Sequence, residues 1–285
     1  MNQQDIEQKN LINWYPGHMA KGMREIKENS HLVDLIIVIL DARCPISSYN
    51  KDFDQIAPTK PRLFIITKSD LMDPSKKTMI NEKFKDKHLL WLDLRKPNSK
   101  KIIEDKINQI TFEKQQRDLK KGLLKPRIKV FVVGIPNVGK SSLINLLTQK
   151  KSLKVANFPG VTRIKNWVSI GNLFLMDTPG ILLPKIDDLE TGIKLVAINS
   201  INSNIFPKHF LVINFLKLIY KYYPKLLEKE FNFSNQITND DEAKVLIDKI
   251  ATDRKFINQK LQIDYNRTYS YVENWIKDLK NITYE

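Results

Sequence analysis

Gly134-Ile135-Pro136-Asn137-Val138-Gly139-Lys140-Ser141 is the stretch on which the reading of this chain turns. The strand-like stretch Ile128–Val133 precedes it and a helix-forming stretch, Ser141–Gln149, follows. A phosphate-binding loop of the form G-x4-G-K-S needs that strand–loop–helix setting. Its glycines let backbone N–H groups approach phosphate oxygens at a helix N-terminus, Lys140 reaches the β- and γ-phosphates, and the Ser141 hydroxyl binds Mg²⁺. Val138, Gly139 and Ser142 complete the nucleotide contacts expected of this loop.

Further segments take their meaning from it. Asp177-Thr178-Pro179-Gly180 lies 37 residues beyond Lys140, again at a strand end. There Asp177 is placed to hold Mg²⁺ and the Gly180 N–H to meet the γ-phosphate. Between them, Phe158-Pro159-Gly160-Val161-Thr162 reads either as a switch segment whose Thr162 gives Mg²⁺ a second hydroxyl, or as a plain proline turn. Upstream, Thr67-Lys68-Ser69-Asp70 follows the strand expected over Arg62–Ile66. The Asp70 carboxylate can accept from the N1–H and 2-amino group of guanine, a donor pair adenine lacks, while the Lys68 stem covers the base plane. Thr67 stands where such loops usually have Asn, so a weakened tie to the phosphate loop is expected. A backbone contact to guanine is expected near Leu92-Asp93-Leu94-Arg95, with Asp93 as the candidate.

The order of these motifs is the informative point. In an ordinary GTPase the guanine reader follows the phosphate loop; here it precedes it by more than sixty residues. The chain therefore reads as a circularly permuted P-loop GTPase domain. Strands are expected at 35–40, 62–66, 89–94 and 128–133, with a hairpin of 167–170 and 173–176 turning at Gly171-Asn172. Helices are expected at 20–34, 75–87, 100–114 and 141–149, with a polar basic connector at 115–126. Strands alternating with helices imply a mostly parallel sheet with helices on both faces. After Pro184 the texture changes to helical periodicity alone, at 190–203, 208–230, 240–260 and 265–280. We expect an α/β domain over 1–184 and a small all-α domain over 185–285.

Composition narrows the partners. The net charge of +15 is uneven: residues 185–285 carry 15 basic and 14 acidic side chains, whereas 1–184 carry 32 against 18. The stretch 96–129 alone has 11 basic and 4 acidic residues. A basic surface suits a polyanion, although a lysine-rich proteome produces the same bias. No apolar run approaches the roughly 18 residues a membrane span needs. Residues 1–13 resemble neither a secretory signal nor a transit peptide. Cys44 is the one cysteine and cannot form an internal disulfide, so a reducing cytoplasm is expected.

Trp14-Tyr15-Pro16-Gly17-His18-Met19, Asp41-Ala42-Arg43-x-Pro45 and the permuted motifs together resemble the YlqF/RbgA family of ribosome biogenesis GTPases. The resemblance runs from about residue 12 to the C-terminus and includes Lys194-Leu195-Val196-Ala197. It implies a cytoplasmic enzyme, taken here as a monomer, that converts GTP to GDP late in large (50S) subunit assembly, bound to and activated by ribosomal RNA. It also implies roles for two residues. Ile181 stands where many small GTPases carry a water-orienting glutamine, and the family suggests His18 for that task; a histidine serving only its loop is the other reading. Asn137 resembles the asparagine that binds K⁺ in potassium-activated GTPases; a loop-capping asparagine is its alternative. The rival to the whole reading is a non-catalytic, GTP-dependent RNA or membrane adaptor, for which Ile181 and Thr67 speak. Asp41 and Arg43 have no expected role beyond an ion pair.

Overall fold

The computed structural model describes residues 17–148, 167–178, 180–182, 186, 188–258 and 262–285, with positions 18, 20, 167 and 177 described by backbone alone. Six strands form one sheet: β1 Leu35–Asp41, β2 Arg62–Thr67, β3 His88–Trp91, β4 Ile128–Val133, β5 Trp167–Ile170 and β6 Leu173–Asp177. Their order is β3-β2-β1-β4-β6-β5. All neighbours are parallel except the β5–β6 hairpin, which turns at Gly171-Asn172 as expected. Every residue of β1 is buried, as suits a central strand covered on both faces.

The topology places the site. From β1 the chain runs outward through β2 and β3, then returns to start β4 on the other side of β1. The strand order reverses between β1 and β4, and in open α/β sheets the crevice at the carboxyl ends of such strands is where ligands bind. Asp41, Thr67, the loop after Trp91, Gly134 and Asp177 all lie at that edge, because parallel strands bring their C-termini to one side.

The helices are α1 Gly17–Glu28, α2 Lys77–Lys83, α3 Ser99–Lys120, α4 Lys140–Thr148, α5 Leu189–Ala197, α6 Lys208–Tyr222, α7 Pro224–Phe231, α8 Asp240–Asp253 and α9 Tyr265–Asp278. Several bounds differ from the sequence expectation. α1 stops at Glu28, and a 3₁₀ turn, Ser30–Leu32, leads into β1. α3 takes in half of the expected connector, since no breaker occurs before Gly122. There Gly122 adopts φ +85° and donates to Leu119, while the Leu123 N–H donates to Asp118, closing the helix with a left-handed cap. The helix expected over 208–230 is two helices, broken at Pro224, which has no N–H for the ladder. α8 opens with a capping box between Asn239 and Glu242.

Among the described residues, those after 186 form helices and no named strand, and α6 is the spine of that region, burying Leu211, Phe215, Leu216 and Ile219. The region is fastened back to the sheet by its own end. Ile282 donates its N–H to Leu71, Tyr284 its N–H to Arg43, and the Ser47 N–H donates to the Glu285 carboxylate.

Candidate nucleotide site

The phosphate loop leaves β4 at Gly134. A Cβ there would sit 2.7 Å from the Ile39 carbonyl oxygen of β1, so only glycine lets the loop turn so close to the sheet. Asn137 and Gly139 then adopt φ +60° and +104°, the left-handed steps that turn successive N–H groups to one side. With the N–H groups facing inward, the carbonyls face outward and need donors of their own. They find four donors, from three different parts of the chain. Gly134 accepts from the Ile181 N–H at 3.2 Å and Pro136 from Ser200 Oγ at 2.8 Å. Asn137 accepts from Lys68 Nζ at 2.7 Å and Val138 from Thr67 Oγ1 at 2.5 Å. Lys140, largely buried, folds back to donate to the Ile135 carbonyl at 2.8 Å. Ser141 and Ser142 follow in the first turn of α4.

The tie from the guanine-reading loop is therefore present. Thr67 hydroxyl is short but sits at the end of β2, opposite Asp41 of β1, within direct reach of Val138. The weakened tie expected from the missing Asn is not what the structure has. Lys68, at φ +56°, crosses from that loop to the phosphate loop and ion-pairs with Asp41 at 2.7 Å on the way. Asp41 also takes both arms of Arg43, at 3.0 and 2.9 Å. Burial alone would raise the Asp41 carboxyl; the adjacent Lys68 and Arg43 charges outweigh it and hold the carboxyl well below the usual carboxylate range. Asp41 and Arg43, both buried, thus join the half-buried Lys68 in a three-charge cluster under the nucleotide loops, more than the simple ion pair expected.

Asp70 lies at the mouth of the site. Arg95 Nη2 is 2.6 Å from its carboxylate, and the same guanidinium grips Asp93 through Nε at 2.9 Å. That hydrogen bond, against partial burial, keeps the Asp93 carboxyl below its ordinary range. The Leu92–Arg95 loop is held beside the guanine reader by Ser69 N–H donating to Leu92 and by Ser99 Oγ donating to Asp93. Arg95 as a bridge between two carboxylates has no motif signal and is seen only in the structure.

Gly180 rests on the phosphate loop: a Cβ on it would meet Pro136 Cα at 2.8 Å. The next side chain, Ile181, is fully buried and offers nothing to a water. The Thr178 hydroxyl donates to Val132, and β6 pairs Asp177 with Val132, which brings the Asp177 backbone level with the last residues before the loop. Ser141 opens α4 at the same edge of the sheet, and its hydroxyl is a hard oxygen donor of the kind that suits Mg²⁺. Thr162 lies outside the described residues, as do the side chains of Asp177 and His18; the His18 backbone is in the first turn of α1, next to buried Met19. Among the described residues no His, Cys, Asp and Glu group of metal-binding geometry occurs, and no helix is long and apolar enough to cross a membrane.

Similarity to other proteins agrees with this geometry. A family model described as 50S ribosome-binding GTPase matches residues 129–215. The ribosome biogenesis GTPase A of Priestia megaterium is 37% identical over 92% of this chain and 91% of its own length. The probable ribosome biogenesis GTPase A of Mycoplasma genitalium is 38% identical over 84% of this chain and 86% of its own. In fold, the chain is similar to the GNP-bound YlqF from T. maritima, at a TM-score of 0.64 and 19% identity over 93% of this chain and 97% of that one.

Proposed function

The chain belongs to the ribosome biogenesis GTPase A family, and on that premise we propose a GTPase that times a late step in assembly of the large ribosomal subunit. In this reading the GTP form docks on the ribosomal RNA of a precursor 50S subunit, and hydrolysis to GDP and phosphate releases it. One observation carries the timer: Gly180 and Ile181, which contact the phosphate loop directly, stand only a few residues before α5. A change at the γ-phosphate is thereby linked to the helical region within one short connector, an arrangement suited to an order–disorder or domain switch.

The roles follow from the chemistry of each side chain. Lys140, Val138, Gly139, Ser142 and the Gly180 N–H cradle the phosphates, and Lys68, Asp70 and the Asp93 loop receive guanine, with Thr67 bracing them. Ser141, Thr162 and Asp177 hold Mg²⁺, which when bound neutralises charge between the β- and γ-phosphates. Asn137 binds K⁺, and His18 positions water. Residues 1–184 and 185–285 act as the catalytic and helical domains of a cytoplasmic monomer. For RNA, the end of α3 offers Arg117, Lys120 and Lys121, with Lys125 in the turn beyond, all exposed. This charge lies in the basic half of the chain, so it is the phosphate-contacting surface we assign.

Co-sedimentation with purified subunits tests the reading. Binding to large subunits is expected with GTP and a non-hydrolysable analogue and not with GDP, falling as salt rises because phosphate contacts release counterions. Charge reversal at Lys120 and Lys121 should flatten the salt slope. Nucleotide-independent binding, or preference for the small subunit, contradicts the timer.

A further inference from the structure

One of the four outside donors to the phosphate loop comes from the helical region, beyond every GTPase motif. The turn that closes α5 offers three consecutive groups to the nucleotide loops. The Ile198 carbonyl accepts from Arg43 Nη2 at 3.3 Å, the Asn199 carbonyl accepts from Asn137 Nδ2 at 2.6 Å, and Ser200 Oγ donates to Pro136 at 2.8 Å. Ser200 is fully buried. The turn is itself firmly shaped. Asn199 adopts φ +62°, its N–H donates to Val196 at 2.9 Å, and the Ser200 and Ile201 N–H groups both donate to Leu195 at 2.8 and 3.2 Å. This is a left-handed helix cap with asparagine in the position that needs positive φ.

We infer that the turn Ile198–Ser200 is a positioning element for the phosphate loop, through which the helical region sets nucleotide affinity and is itself steadied when nucleotide binds. The physical reason lies in the shape of the loop. Its N–H groups grip phosphate only while the intervening carbonyls are held facing away. Without Ser200 the buried Pro136 carbonyl loses its donor, and rotating to find another would turn the neighbouring N–H off target. Asn199 does the same for the Asn137 side chain, fixing which end of that amide faces the helical region. Because the coupling is between two binding equilibria, it is reciprocal: whatever the turn contributes to nucleotide affinity, nucleotide returns to the turn. The inference rests on the proposed role of the phosphate loop in nucleotide binding.

The test uses the full chain with a fluorescent GDP analogue, together with hydrogen exchange of the 194–201 segment. Ser200→Ala should weaken GDP binding about 3- to 10-fold, the loss expected for one buried hydrogen bond, and Ser200→Thr should restore it. Asn199→Gly should bind as the parent does, because glycine accepts the same φ, whereas Asn199→Val should bind more weakly, because a β-branched residue does not. In the unsubstituted protein GDP should slow exchange at the amides of Asn199, Ser200 and Ile201. That last measurement needs no variant and keeps the inference testable if a substitution prevents folding. A folded Ser200→Ala variant with parental GDP affinity, or no slowing of the turn by GDP, overturns the inference while leaving the nucleotide site intact. Failure of the unsubstituted chain to bind GDP would instead remove the site reading on which it rests.

Discussion

The Thr67 hydroxyl lies 2.5 Å from the Val138 carbonyl, joining the guanine-reading loop to the phosphate loop across 71 residues of chain. The same oxygen is 3.1 Å from the Leu40 carbonyl, so the single proton is shared between the strand below and the loop above. Thr67→Val keeps the shape and removes the donor, leaving a buried carbonyl unpaired at a cost of about 1–3 kcal/mol. Urea unfolding should show that loss, and calorimetric titration should show weaker GDP binding, while Thr67→Asn should retain it. Unchanged stability and affinity in the valine variant would mean that the loops are held together by Lys68 alone.

Gly180 should tolerate no side chain. A Cβ would press on Pro136 Cα at 2.8 Å, backbone that cannot move without displacing the phosphate loop. Gly180→Ala should therefore push the switch away from the γ-phosphate position. Hydrolysis should fall about 100-fold, the usual scale for losing one aimed N–H donor, with GDP affinity little changed. A variant that hydrolyses GTP at the parental rate shows that the Gly180 N–H is not used.

Guanine selectivity should rest on Asp70. Its pair with Arg95 is 74% exposed on the arginine side, and exposed pairs contribute about 0–1 kcal/mol, so guanine displaces the guanidinium at little cost. The protein should prefer GTP to ATP, and Asp70→Asn should lose guanine affinity and gain xanthine nucleotide binding. Competition titrations decide it: equal GTP and ATP affinities in the unsubstituted protein remove the assignment.

Potassium should accelerate hydrolysis relative to sodium, through Asn137. Its Nδ2 donates to the Asn199 carbonyl, and an amide oxygen such as its Oδ1 has the chemistry to meet a cation. Rates in matched K⁺ and Na⁺ buffers should differ, and Asn137→Asp should change that response. Identical rates in the two salts would return Asn137 to a purely structural place in the loop.

Turnover should depend on His18 and affinity should not. Ile181, at the position of the usual glutamine, is wholly buried, so the attacking water needs another partner. A positioned imidazole contributes about 10²–10⁴-fold to such a step. Intrinsic hydrolysis should be slow and large-subunit stimulation strong. His18→Ala should keep GTP binding and docking yet lose most of the stimulated rate. Full stimulated turnover in that variant assigns the water to RNA or to backbone groups of the switch.

Much of this molecule is written locally. The phosphate loop, the Asp177–Gly180 segment and the Thr67–Asp70 segment are short, contiguous and set at the ends of largely apolar stretches, so their permuted order could be read from residue type and spacing alone. So could the parallel sheet, since β1, β2 and β4 are buried runs between helical stretches, and so could the β5–β6 hairpin, from Gly171-Asn172. Charge along the chain likewise separated a basic half from a neutral one. What the tertiary structure decided are the relations between loops that only packing brings together. That Thr67 reaches the phosphate loop in place of Asn depends on that loop folding back over the end of β1 toward β2. That Asp41 binds Lys68 as well as Arg43 depends on adjacent parallel strands ending level, 27 residues apart in sequence. Arg95 on Asp70, and Ser200 on Pro136 across 64 residues, carry no local signature. A serine after a helix and an arginine in a polar loop are common residues in common places. Their meaning comes from an outward-facing carbonyl or an exposed carboxylate that the fold sets opposite them, and such a partner is a property of the packed chain.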